Sequence, residues 1–451
     1  DGTRGFTKSG YDQLFVISVD GGTPRQVTYA SNHIGKADWS KDLKAVYFHA
    51  NLHKDADYQP RNSEIYRLSL DENKITALTD RFGPDTNPKV SPDGRHLAFT
   101  GYDDQFLGYQ INKLYLMDLE DQSIETLIPE FDRSVGNIRW SQDGKGIYFQ
   151  YQDQGNNHVA YVKPGGEEKS ITGQVGGLNL GRPYTRGNFS VAKGGKLAIT
   201  YGNWDHPADL GIHDGSKLTR LTSLNDDLFS FRNVGKVEEI RYQSSFDQQE
   251  IQGWICYPPD FDPNKKYPLI LEIHGGPFQA YGPWFSMEIQ LYAAAGFVVL
   301  YTNPRGSASY GEEFGNLIHH NYPGQDYDDL MSGVDAVISK GFIDQEQLFV
   351  TGGSGGGVLT AWIVGKTDRF RAAVVAKPVI NWYSFVLYSD GTSYHNHWFP
   401  GVPWEHQQHY MARSPISLVG NVTTPTMLLL SLIHISEPTR PSKSSRMPSS
   451  A

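Results

Sequence analysis

Gly352-Gly353-Ser354-Gly355-Gly356 sets a serine in the pattern Gly-x-Ser-x-Gly. An apolar run, residues 347–351, precedes it, and a helix-compatible stretch, residues 358–365, follows. A strand that turns sharply into a helix lifts its turn residue above the sheet, and side chains on either side would clash in so tight a bend. The turn also aims the free N–H groups and positive end of the helix at the place where negative charge develops in acyl transfer. Ser354 is therefore the candidate nucleophile. A purely structural Gly-rich turn is the alternative that the motif alone leaves open. A second donor is expected from His274-Gly275-Gly276-Pro277, at the end of an earlier apolar strand. The N–H groups of Gly355 and Gly276 would form the oxyanion hole, and His274 is read as orienting this loop rather than as the general base.

These groups need a rigid platform, and the chain supplies its signature after Val234. Residues 238–259 read as a hairpin and residues 265–277 as a continuous apolar strand ending in glycines. Such a run marks a sheet buried on both faces. A helix near 285–295, a strand at 296–306, a helix near 326–340, the strand at 347–357 and a strand from Ala372 follow. Alternation at this spacing predicts a doubly wound, mainly parallel sheet of the α/β-hydrolase kind over residues 236–429.

The first half has a different grammar. Residues 14–22, 64–74 and 113–123 open similar units, and turns at Ser40, Ser91 and Ser141 follow, a repeat of about 50 residues. A degraded fourth copy starts at Val191. Period-2 strands joined by Asp-Gly turns predict four-stranded blades that bury their faces on neighbours. The pattern resembles the TolB-like or PD40 propeller repeat over residues 1–235. It accounts for four to five blades, so missing N-terminal blades are expected; an ordinary β-sandwich is the competing fold.

Asn303-Pro304-Arg305-Gly306-Ser307 and residues 324–329, Gly-Gln-Asp-Tyr-Asp-Asp, complete a set that resembles the prolyl oligopeptidase (S9) family of serine peptidases, in its dipeptidyl or acylaminoacyl peptidase branch. The resemblance implies hydrolysis of short peptides through an acyl-enzyme on Ser354, with a propeller limiting access. It also implies that Asn303 and Arg305 shape the active-site floor, although structural support explains both equally well. It leans towards an extracytoplasmic bacterial setting.

Composition narrows the alternatives. A formal charge of -10 argues against nucleic acid or an anionic membrane as partner. No apolar run reaches membrane-spanning length, so membrane insertion is not expected; a homo-oligomer is compatible with the sequence. The single cysteine, Cys256, excludes an internal disulfide and a cysteine-based zinc site. His395, His397, His406 and His409 crowd a segment with Trp398, Trp404 and Tyr410, near Asp390 and Glu405. The spacing lacks a helical zinc pattern, so no metal or cofactor is expected and the segment reads as an aromatic insertion lining the substrate cleft.

Both ends depart from the expected pattern. The chain opens at Asp1 with neither initiator Met nor signal peptide, so a processed or truncated start is expected. A triad in this fold runs Ser, acid, His, so the last two should follow residues 423–430. No Asp occurs after Leu430, and the one histidine there is His434. Residues 430–440 correspond to the translation of a transposon-based sequencing adapter, and residues 445–451 to the fixed segment behind its index. Residues 430–451 are therefore expected to be a non-native tail, and His434 is not taken as the base. Without an acid and base the chain as written is expected to be nearly inactive, with an exposed sheet edge. The other readings are a carboxylesterase or lipase, since the same machinery serves any acyl transfer, and a binding module carrying a relic hydrolase domain.

Overall fold

Alternating strands become four successive four-stranded antiparallel sheets, the first three with a Ser-x-Asp turn between their first two strands. The computed structural model describes residues 10–389 and 395–430. The first sheet is built from Ile34–Trp39, Ala45–Ala50, Glu64–Ser69 and Lys74–Ala77, the second from Asp85–Val90, His96–Gly101, Lys113–Asp118 and Ile124–Thr126. The third comprises Gly136–Trp140, Ile147–Asp153, Asn156–Val162 and Lys169–Thr172, the fourth Phe189–Val191, Leu197–Tyr201, Asp209–His213 and Leu218–Arg220. The opening unit, residues 14–22, contributes only the strand Phe15–Val16, paired with Arg25–Gln26.

The repeat grammar has a direct physical cause. Ser91 Oγ donates to Asp93 at 2.6 Å and accepts the His96 N–H at 2.9 Å, while Ser91 N–H donates to His96 O. Ser40 and Ser141 make the same pair of side-chain bonds, to Asp42 and the Ala45 N–H and to Asp143 and the Gly146 N–H. Each serine thus closes the tight turn between the first two strands of its sheet. One sheet cannot bury both faces alone, and the apolar clusters are shared accordingly. Tyr47 and Ile65 of the first sheet pack with Leu97, Phe99 and Met117 of the second; Ala98, Leu114 and Leu116 of the second pack with Ile138, Ile147 and Phe149 of the third. Val159 of the third packs with Phe189, Leu197 and Ile199 of the fourth.

Beyond Val234 the chain forms one seven-stranded sheet, with strands β1 (Val237–Gln243), β2 (Glu250–Cys256), β3 (Tyr267–Ile273), β4 (Val298–Asn303), β5 (Ile343–Gly353), β6 (Ala372–Ala376) and β7 (Thr426–Leu429). Their order across the sheet is β1-β2-β4-β3-β5-β6-β7. The pairings β1–β2 and β2–β4 are antiparallel and the rest are parallel, as the apolar runs predicted. Helices α1 (Met287–Ala294), α2 (Asp326–Ile338) and α3 (Gly355–Lys366) alternate with the parallel strands. The core joins Leu269, Leu271, Leu300 and Val350 of the sheet to Leu330, Val334 and Ile363 of the helices. Among the boundaries that differ from expectation, β5 runs Ile343–Gly353 rather than 347–357, and α3 starts at Gly355 rather than 358, because the helix begins at the turn itself. Met427, Leu428 and Leu429 of β7 are exposed. Among the described residues no helix is long and apolar enough to cross a membrane. The expected tail lies outside the described residues apart from Leu430.

Ser91 is 3% exposed and serves two hydrogen bonds. Ser91→Ala is expected to lower the stability of the four-sheet region by about 1–2 kcal/mol, read as a shift in urea midpoint at unchanged slope.

Candidate active site

The β5–α3 turn has the geometry that its glycines require. Ser354 holds φ 58° and ψ -118°, a region that side chains other than glycine adopt only when the surroundings enforce it. The enforcing contacts are backbone. A Cβ on Gly356 would lie 2.1 Å from Ile273 O, and one on Gly352 would lie 2.5 Å from Gly356 O. Gly352, Gly353, Gly355 and Gly356 are buried while Ser354 is exposed, so the turn presents a single side chain. Ser354 N–H donates to Ala376 O at 3.0 Å, which ties the strained residue to β6.

Loop 274–277 abuts this turn. A Cβ on Gly355 would fall 2.8 Å from Gly276 O and 3.0 Å from Gly276 N, and one on Gly275 would fall 3.3 Å from Ser354 Cβ. Gly276 has φ 121°, open to glycine alone. Gly355 and Gly276 therefore stand against each other beside Ser354. Among the described residues neither N–H has a hydrogen-bond partner, and Ser354 Oγ has none either.

His274 is fully buried, and its ring nitrogens reach Gly275 O at 2.7 Å and Ser307 Oγ at 2.9 Å. Burial pushes its pKa down to about 4, so the ring is neutral near pH 7. With the ring neutral, Nδ1–H donates to Gly275 O, and Nε2 faces the Ser307 hydroxyl, whose single proton is drawn both by Nε2 and by Pro304 O at 2.6 Å. Both nitrogens are thereby committed to the loop. Asn303 clamps Tyr281, accepting its N–H at 2.8 Å and donating Nδ2–H to its carbonyl at 2.9 Å. Arg305, with its side chain 3% exposed, donates to both oxygens of Asp329 and of Asp247, and Asp329 also accepts the Arg305 N–H. The polar atoms of both residues are taken up within the scaffold, which favours structural support over the cleft floor.

The histidine-rich segment also departs from expectation. His397 Nε2 meets Asp104 Oδ2, from the loop between the second and third strands of the second sheet, at 2.6 Å, and its ring lies 5.3 Å from that of Phe106. Trp398 and Tyr410 are buried in the hydrolase core, and Trp404 is exposed. Most of the aromatic mass therefore stabilises the domain instead of lining the cleft; Asp390 lies outside the described residues. Cys256 is buried, and burial raises its thiol to about 12, so it is no nucleophile. A cavity of about 800 Å³ separates the sheets from the hydrolase domain. Phe278, Ala308 and Ser309 form one wall, and Asn87, Asn137 and Arg139 stand opposite.

Sequence reasoning passed over Arg182 and Tyr184, which reach this site from the first half of the chain. Tyr184 Oη accepts the Gly275 N–H at 2.8 Å, and Arg182 Nη1 lies 3.2 Å from Glu272. Burial raises the Glu272 carboxyl to about 8 against the pull of Arg182. The available signal was a Gly-rich stretch, residues 173–187, that interrupts the strand grammar.

Residues 283–433 match the prolyl oligopeptidase family, and residues 4–107 match the dipeptidyl peptidase IV N-terminal region. The chain belongs to the prolyl oligopeptidase family. It is 33% identical over 444 residues to the uncharacterized peptidase YuxL of Bacillus subtilis, covering 94% of this chain and 66% of that protein. It is 26% identical over 401 residues to dipeptidyl-peptidase 5 of Porphyromonas gingivalis, covering 87% and 58%. Among solved structures, an acylaminoacyl peptidase of Pyrococcus horikoshii superposes with TM-score 0.75 at 23% identity over 87% of this chain and 60% of its own, which speaks to fold. This family member thus spans between 57% and 66% of the length of the first three curated relatives it matches.

The depressed pKa of His274 has a measurable consequence. The unfolded chain takes up a proton near pH 6.5 that the folded ring refuses until about pH 4. The contribution is fully present above 6.5 and is lost as pH falls, by about 3 kcal/mol at pH 4. In a His274→Gln variant, the pH dependence of unfolding between 6.5 and 4 is expected to be shallower by that amount in urea titrations.

Proposed function

We propose that the intact protein hydrolyses short peptides through an acyl-enzyme on Ser354. The observation that carries this reading is the pairing of one exposed, conformationally strained serine with two adjacent unpartnered backbone N–H groups, those of Gly355 and Gly276. In this reading Ser354 Oγ attacks the scissile carbonyl, and the carbonyl oxygen, becoming an oxyanion, accepts both N–H groups; loss of one such donor costs on the order of 100-fold in rate. The tetrahedral intermediate collapses with release of the amine, and water then attacks the ester carbonyl and restores the serine. The four sheets are read as the wall of a propeller whose cavity admits short, flexible chains and holds back folded proteins. Membership of a peptidase family supports peptides over simple esters as substrates.

A nucleophile of this kind needs a base and an orienting acid. His274 is committed to its loop, and His397 to Asp104, so neither fills the role in this reading. The acid and base are proposed to follow β7 in the intact protein, in place of residues 430–451, and residues 1–451 alone are proposed to turn over slowly.

The test is to express the intact gene product and assay dipeptidyl and aminoacyl anilides beside aryl esters. Anilide turnover is expected to be lost by at least about 1,000-fold in Ser354→Ala. Equal anilide turnover in that variant would refute the assignment, and ester turnover without anilide turnover would replace peptidase with esterase. The 451-residue chain, assayed in parallel, is expected to fall several orders of magnitude below the intact protein.

A further inference from the structure

Residues 180–185 lie between the third and fourth sheets in sequence, yet their backbone is bonded to the hydrolase domain. Thr185 N–H donates to Ala280 O at 3.1 Å, Gly282 N–H to Pro183 O at 2.9 Å, and Met287 N–H to Leu180 O at 2.9 Å. Tyr184 and Tyr281 form an antiparallel bridge within this strap, and Ser286 Oγ donates to Gly181 O. The strap is in effect a short extra strand laid on residues 280–287.

Two side chains carry it to the reacting centre. Tyr184 Oη accepts the N–H of Gly275, the residue before the proposed oxyanion donor. Arg182 donates Nε–H and Nη2–H to Glu288 at 2.8 and 3.2 Å and sets Nη1 3.2 Å from Glu272. A Cβ on Gly353 would lie 2.9 Å from Arg182 Nη1, so the guanidinium also rests against the residue before Ser354. Glu272, fully buried, accepts the Tyr281 hydroxyl at 2.9 Å and stands two residues ahead of His274 on β3. One short segment therefore grips the approach to both loops.

Two consecutive glycines leave loop 274–277 with unusual backbone freedom, which an oxyanion donor cannot tolerate. The hydroxyl of Tyr184 holds the peptide plane between His274 and Gly275, and the His274 ring, through Gly275 O, holds the next plane, which carries the Gly276 N–H. We propose that Tyr184 and Arg182 are positioning residues of the acyl-transfer site, so that the four-sheet region supplies part of the oxyanion hole's support as well as a wall. This rests on the reading of Ser354 as nucleophile. A displacement of about 1 Å at a reacting group costs on the order of 100-fold in rate, so a support of this kind registers in turnover.

The decisive variant is Tyr184→Phe in the intact protein, which keeps the ring packed on Tyr281 at 4.8 Å and removes only the hydroxyl. Three assays are run: kcat and KM on a dipeptidyl anilide, affinity for a peptide boronic acid that mimics the tetrahedral species, and the rate of Ser354 labelling by a fluorophosphonate. The expected result is a fall of about tenfold or more in kcat, boronate affinity and labelling rate, with KM moved less than about twofold. Wild-type values in all three would overturn the proposal, and so would kcat and KM falling together with the unfolding midpoint, which would mark a merely structural part. If Tyr184→Phe fails to fold, Arg182→Lys carries the same test, since it keeps the charge beside Glu272 but loses the paired bonds to Glu288. A wild-type protein that fluorophosphonate labels no faster than Ser354→Ala would instead remove the nucleophile reading, and this proposal with it.

Discussion

The parallel register between β3 and β5 is the constraint on which the site depends. Leu269 pairs with Leu348 and Ile273 with Gly352, so both strands end at the same level of the sheet. The loop that follows β3 and the turn that follows β5 therefore begin side by side, and the backbone of one crosses the other at distances that exclude any Cβ. A slip of one residue would turn alternate side chains to the opposite face and carry Ser354 away from loop 274–277. Every other feature of the site, from the strained serine to the two glycine N–H groups, presupposes this alignment.

Charge is handled differently at two points beside that alignment. Beside the loops, Arg305 is held by two carboxylates and a hydroxyl, with the Phe246 ring 5.4 Å away, so its guanidinium is bound within the scaffold. Within β3, Glu272 is buried with a cationic neighbour contributed from outside its own domain. Burial raises this carboxyl to about 8, and Arg182, carried by the strap, is the cation that draws it back towards ionisation. The two halves of the chain are thus joined by an interaction that neither can replace alone.

Much of this was legible in the amino-acid sequence because local and global signals agree. The run Leu269–Ile273 has parallel neighbours on both sides and reads as apolar throughout; Ser91, two residues before Asp93, closes a turn that any chain with that spacing would close. The Gly-x-Ser-x-Gly string named the turn, and its neighbours placed it between strand and helix. What escaped depends on contacts between distant segments. Nothing near Tyr184 announces that its hydroxyl meets Gly275, 91 residues on. His397 looked like part of a local histidine cluster, whereas its partner Asp104 lies 293 residues earlier. Arg305 and Asn303 offered the right chemistry for a cleft floor, and only their bonding shows that the scaffold consumes it.

One small feature opens the molecule to direct observation. Cys256 is the sole cysteine, lies buried in β2, and has its thiol raised to about 12. Its thiolate is therefore scarce near neutrality, and reagents that seek thiolates will pass it by. A cysteine introduced at an exposed point on each half of the chain would take a spin label or a fluorophore against a silent background. The distance between the two halves, and any change in it when a peptide is added, then becomes a quantity that can be read without altering a native side chain of the site.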